Sequence, residues 1–140
     1  MKTLIAYFSA SGTTKNAASR LAKEVNGDLY EIEPQEKYTA ADLNWNDNNS
    51  RSSREIADPS SRPAIVEPTL DVNSYDTLYV GFPIWWGIAP NVVKTFLDKI
   101  DLNGKKIITF CTSGGSSLPP ATEDLKKTYP TADIESGKRL

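Results

Sequence analysis

Short apolar runs punctuate the chain at Thr3 to Phe8, Leu29 to Ile32, Thr77 to Phe82 and Lys106 to Thr112, with a weaker one at Ala132 to Glu135. Their β-branched and aromatic content predicts strands. The runs at 77 to 82 and 106 to 112 do not alternate with polar positions, which suits strands covered on both faces of a parallel sheet. Between the runs the period changes. Within Thr14 to Val25, residues Ala17, Ala18, Leu21, Ala22 and Val25 recur at spacings of three and four, the apolar stripe of a helix, and Gly27 just beyond is a stop signal. From Asn91 to Ile100 the same spacing is kept by Val92, Val93, Phe96, Leu97 and Ile100, with Pro90 at the helix start. Strand and helix alternate, so the pattern predicts an α/β fold with right-handed crossovers.

Pro34 to Pro68 breaks this rhythm with a polar stretch rich in Asn, Ser and Arg. Connections of this length inside a compact domain are uncommon and are usually functional or mobile. Thr39 and Asp42 have the spacing of a capping box in acidic form, which predicts a short helix after them. Arg51, Arg54 and Arg62 read as solvated loop residues, the alternative being reception of an anionic substrate or partner.

Composition narrows the chemistry. The 140 residues fit one domain with no second core, and a formal net charge of -2 gives no electrostatic reason to bind nucleic acid or an anionic membrane. One cysteine excludes an intrachain disulfide. Met1-Lys2 leads directly into a strand rather than a signal peptide, and no apolar run spans a bilayer, so a cytoplasmic location is expected. Histidine is absent, which removes the Ser-His-Asp and Cys-His systems and leaves poor material for a metal site. Any enzymatic chemistry then falls to a bound cofactor, with no catalytic side chain and no metal.

The first strand runs into "SASGTTKN", Ser9 to Asn16, and then into a helix. That arrangement aims unpaired N–H groups and the positive end of a helix dipole at one point, where an anion fits. Gly12 permits close approach, and the hydroxyls of Ser9, Ser11, Thr13 and Thr14 can donate to phosphate oxygens; the other reading is an ordinary loop with a helix cap. The Walker, dinucleotide, cysteine-phosphatase, receiver and nucleophile-elbow patterns all fail on residue identity. Two further loops sit at strand ends: "PIWWGIAP", Pro83 to Pro90, and "TSGGSS", Thr112 to Ser117. In an open parallel sheet such loops converge on one crevice. Trp85 and Trp86 beside a phosphate loop suggest a flat aromatic ligand carrying one phosphate, although a tryptophan pair by itself reads equally as core or partner surface. None of the three loops contains aspartate or glutamate, which suits a ligand whose phosphate and reduced ring are both anionic.

On these residues the chain resembles the flavodoxins. The family's phosphate pattern, (S/T)-x-(S/T)-G-x-T, is matched by Ser9, Ser11, Gly12 and Thr14, and "GFPIWWGIAPNVVKTFLD" with "DLNW" and the later "SR" looks like one bacterial branch of it. The resemblance implies a three-layer α/β fold with a five-stranded parallel sheet in order 2-1-3-4-5, and FMN as cofactor. It implies that residues 9 to 14, Thr13 included, hold the phosphate. Pro83, Ile84, Trp85, Trp86 and Gly87 would contact the ribityl chain and ring, with Trp85 favoured as the stacking residue. Cys111, Thr112, Ser113, Gly114, Gly115 and Ser116 would line the ring's other edge, with Cys111 itself read as packing. Two departures stand out. The charge is nearly balanced where electron-shuttling members are commonly acidic, and the helix expected after the fifth strand is missing at Leu140, which would leave one sheet face open to contact by another chain. The implied function is electron carriage between redox partner proteins or to a small acceptor. Alternatives are an FMN-dependent NAD(P)H:quinone-type reductase, with Trp45 and the arginine-bearing insertion forming its substrate site, and a non-redox binding module on the same fold.

Overall fold

A computed structural model describes residues 3–9, 12–44, 46–47, 49–58, 60–67, 74–85, 88–102, 104–112 and 119–139. Five parallel strands, β1 (Thr3–Tyr7), β2 (Asp28–Glu31), β3 (Thr77–Pro83), β4 (Lys106–Thr112) and β5 (Asp133–Arg139), form one sheet in the order β2-β1-β3-β4-β5. Four helices connect them: α1 (Thr13–Val25), α2 (Arg51–Ala57), α3 (Asn91–Asp98) and α4 (Pro119–Thr128). The strand order reverses between β1 and β3, and that switch point places the ligand crevice at their carboxyl ends.

Alternation along each strand sorts the core into two layers. On one face Ile5, Tyr7 and Phe110 pack under Ala18, Leu21 and Ala22 of α1. On the other, Leu4, Ala6, Phe8, Leu78, Val80 and Phe82 meet Val92, Val93, Phe96 and Leu97 of α3 and Ala121 and Leu125 of α4. Lys94 is almost wholly buried between these helices, its ammonium 2.9 Å from Asp124. On the α1 face, β4 and β5 carry the half-exposed ion pair of Lys106 and Glu135, 3.5 Å apart. Among the described residues the exposed large apolar side chains are Leu29 and Val66, neither of them on β3, β4 or β5.

Strand ends shift slightly from expectation. The second strand begins at Asp28, and the fifth runs on through Ser136 and Gly137 to Arg139 after a register irregularity opposite Thr109 and Cys111. Gly137 passes so close to β4 that a Cβ there would sit 2.5 Å from the Thr109 carbonyl oxygen.

The insertion is an ordered excursion. It leaves and returns through one antiparallel bridge, Pro34 with Ile65, flanked by Gln35 N–H to Ala64 O at 2.9 Å and Val66 N–H to Glu33 O at 2.7 Å. The Thr39/Asp42 box forms as expected: the Thr39 amide donates to Asp42 Oδ2 at 2.9 Å and the Asp42 amide to Thr39 Oγ1 at 3.1 Å. It closes only a turn, however. The helix of this segment is α2, nine residues later, begun by Ser50, whose Oγ accepts from the Ser53 amide. α2 is fixed by hydrogen bonds more than by an apolar stripe, its buried residues being Ser52 and Ser53. The Asn91 amide donates to the carbonyls of Glu55 and Asp58 at 2.7 and 2.9 Å, and Thr95 Oγ1 to that of Pro63 at 2.8 Å.

Candidate cofactor site

Gly12 and Ser9 stand between the end of β1 and the start of α1. Gly12 takes φ 93°, ψ -13°, a left-handed conformation that glycine adopts without steric cost, and stands at the N-terminus of α1. Its amide donates to Ser9 Oγ at 2.9 Å. No side chain caps α1, and its first turn holds no acidic residue. The leading N–H groups of a helix have no partner within it, so this end offers donors and a positive dipole. Thr13 is exposed and Thr14 is buried. The Thr14 hydroxyl is engaged internally, 2.7 Å from that of Thr112. The pair ties the first loop to the end of β4, so the side chain of Thr14 acts as a strut between loops while its backbone stays in the first helical turn.

The second loop is tied to the same place. Ile84 N–H reaches the Thr112 carbonyl at 3.3 Å, and Trp85 and Ile88 exchange N–H···O bonds of 2.9 and 3.0 Å. The half-buried Trp85 ring meets Phe8 edge-on at 5.7 Å and Tyr38 at 5.3 Å, with interplanar angles of 88° and 77°. Cys111 is fully buried in the core and Thr112 nearly so. Thus Ser9, Gly12, Thr13, Thr14, Pro83, Ile84, Trp85, Cys111 and Thr112 gather at the carboxyl edge of β1, β3 and β4. Ser11, Trp86, Gly87, Ser113, Gly114, Gly115 and Ser116 lie outside the described residues, as does Trp45.

Tyr38 and Glu55 were not anticipated, and Arg51 takes a role other than the two expected of it. Tyr38, from the insertion, completes the aromatic cluster, 5.6 Å from the Phe8 ring. Its hydroxyl donates to Glu55 Oε1, and the Arg51 guanidinium lies 3.9 Å from its ring centroid. Arg51 also donates through Nε to Glu55 Oε2 at 2.9 Å and through a terminal nitrogen to the Glu36 carbonyl at 2.7 Å. Arg51 is therefore a built-in part of the insertion rather than a solvated residue. Arg62 pairs with Asp98 at 2.7 Å, and Arg54 is exposed. Burial, then the bond to Glu55, raises the Tyr38 phenol well above its ordinary range, so it stays a neutral donor at physiological pH. The spacing of Arg51 and Glu55, four apart, was a readable helical ion pair. Nothing local marks Tyr38.

The end of β2 adds carboxylates that the three loops lack. A cleft of about 230 Å³ runs beside Ser9, lined also by Phe8, Glu31, Glu33, Lys37 and Tyr38. Burial raises the Tyr7 phenol and the charges of Glu31 and Glu33 raise it further, which places both acids within electrostatic reach of the β1 end.

Sheet order and connectivity define a flavodoxin-like α/β protein, with the uncapped start of α1 and the aromatic cluster of Phe8, Tyr38 and Trp85 at the carboxyl edge of its sheet. The chain belongs to the flavodoxin family, whose model matches residues 2–140. It is similar to a protein assigned as a flavoprotein from Bacteroides eggerthii, with 48% identity and TM-score 0.96, over 99% of this chain and 87% of that one. It is equally similar to another from Bacteroides uniformis, at 50% identity and TM-score 0.96 over 99% and 89%. A flavoprotein from Lactobacillus acidophilus solved in complex with FMN shares 27% identity at TM-score 0.82, over 99% of this chain and 92% of that one. No curated protein matches the chain.

Proposed function

We propose that this chain binds one FMN at the carboxyl edge of the sheet and serves as an electron-transfer protein. The observation that carries the reading is the α1 N-terminus, which has no side-chain cap and no first-turn acid, and opens beside Ser9 and left-handed Gly12. These residues fit a phosphate: backbone N–H groups and the Ser9 and Thr13 hydroxyls supply donors, and a Cβ built on Gly12 meets nothing within 4 Å, so the approach is open. The half-exposed ring of Trp85, braced from behind by Phe8 and Tyr38, offers an apolar surface to a planar ring. Bound FMN supplies reversible electron uptake and release. The chain supplies phosphate neutralisation, ring orientation and exclusion of water on the Trp85 side. Its site brings no histidine, and its neutral tyrosines do not ionise near physiological pH, which suits transfer of electrons without a dedicated side-chain acid or base.

The test is titration of the apoprotein with FMN and with riboflavin, followed by the flavin absorbance and quenched fluorescence. FMN should bind far more tightly, and Gly12→Val should close most of that gap by displacing the loop. Equal affinity for the two ligands in the native protein would refute the phosphate assignment. Reduction by an added flavin reductase, without turnover of NAD(P)H by the chain alone, would support a carrier over a reductase.

A further inference from the structure

We infer that Tyr38 is a positioning residue through which the insertion sets the orientation of Trp85. The inference rests on the flavin reading above in assigning Trp85 to the ring end of the site. Among the described residues of the insertion, Tyr38 is in ring contact with both Phe8, at the end of β1, and Trp85, after β3. The three rings meet edge to face, an arrangement in which each fixes the tilt of the next. Tyr38 is itself held at two points. Arg51 covers the ring face at 3.9 Å, and Glu55 accepts a hydrogen bond from the phenol while also accepting from Arg51 Nε at 2.9 Å. Both belong to α2, whose C-terminal carbonyls are in turn gripped by Asn91, the first residue of α3. The loop bearing Trp85 is therefore clamped between a fixed helix start and a fixed aromatic ring. Without the Tyr38 ring, Trp85 keeps its backbone hydrogen bonds with Ile88 but loses one of two walls.

This makes a specific division of labour. Tyr38 lines the cleft beside Ser9, but its ring contacts go to Phe8 and Trp85 and its hydroxyl to Glu55, none of them a phosphate donor of the segment from Ser9 to Thr14. Disturbing Tyr38 should affect recognition of the isoalloxazine ring and leave recognition of the phosphate unchanged. Edge-to-face pairs contribute about 0.5–1.5 kcal/mol each, so Tyr38→Leu should weaken flavin binding by roughly three- to tenfold.

The experiment compares native protein, Tyr38→Leu, Tyr38→Phe and Arg51→Ala, each checked for cooperative unfolding. Two readouts are taken: near-ultraviolet circular dichroism of the tryptophan bands in the apoprotein, and affinity for FMN and riboflavin. Tyr38→Leu should alter the tryptophan bands, and the same change in a Trp85→Phe background should have little further effect. It should weaken FMN and riboflavin by the same factor. Tyr38→Phe, which keeps the ring, should restore most of both signals, and Arg51→Ala should fall between. A Tyr38→Leu spectrum equal to the native one, or a loss confined to FMN, would overturn the inference while leaving the flavin reading intact. If the native protein binds neither flavin, the flavin reading fails, and the spectra alone decide whether Tyr38 orients Trp85.

Discussion

Two threonines 98 positions apart in sequence share a proton between the first and third of the site's loops, and the strength of that tie can be measured. Thr14 Oγ1 and Thr112 Oγ1 are 2.7 Å apart, and the residues are 2% and 6% exposed. Changing either to valine preserves shape but leaves a buried hydroxyl without its partner, at a cost of about 1–3 kcal/mol. Unfolding entropy of about 2.1 cal/mol/K per residue gives ~0.3 kcal/mol/K for a chain of 140 residues, so each kcal/mol lowers Tm by ~3 °C. Each single variant should therefore melt about 3–10 °C below the native protein. The double variant removes both hydroxyls and leaves no stranded group. Its loss should be smaller than the sum of the two, with a coupling on the order of 1 kcal/mol. Urea or thermal denaturation of the four apoproteins closes the cycle. Losses that add to within about 0.3 kcal/mol would show that the two hydroxyls do not interact, and the strut between the loops would have to be abandoned.

Gly12→Ala should cost about 1–2 kcal/mol through its left-handed backbone alone, because the new Cβ meets nothing, and calorimetry of the apoprotein checks the size of the loss. Gly81→Ala acts by crowding instead: its Cβ would lie 2.1 Å from the buried Phe110 ring, so denaturation should report a loss of about 1–3 kcal/mol. The Thr39 amide holds the Asp42 carboxyl below its usual range, so whatever the box contributes is present above the unfolded value of 3.8 and fades as pH falls through the lower folded value. Nuclear magnetic resonance titration should find Asp42 below 3.8 in the folded protein. An Asp42 that titrates normally would mean that the box is open in solution.

Elements with a repeating apolar stripe were legible along the chain, and those held by polar contacts were not. α1 and α3 show their buried faces in sequence, as do β3 and β4. α2 buries two serines, and its anchor, the Asn91 side chain, sits some thirty to forty positions away, so no local pattern announces it. Among the described side chains α4 turns Ala121, Thr122 and Leu125 fully inward, too short a stripe to stand out behind its two prolines. The phosphate loop was readable because its chemistry is local, a glycine and hydroxyls on consecutive residues. The aromatic wall was half readable: Trp85 advertised itself, whereas Tyr38 joins it only through the return of the insertion. Glu31 and Glu33 carry no motif of their own in sequence, and only the pairing of β2 with β1 brings them beside Ser9 as a fourth part of the same edge.

The single bridge of Pro34 and Ile65 has a consequence for how such a protein can change over generations. Because the excursion departs and returns at neighbouring points, its span can lengthen or shorten without asking any strand of the sheet to move. Loop closure penalises a doubling of length by only about 0.6 kcal/mol, less than many single core substitutions. Selection can therefore rewrite the segment that braces Trp85 while the phosphate cradle and the sheet beneath it are inherited unchanged. The surface presented beside the ring is then free to diverge from one lineage to the next faster than the grip on the cofactor itself.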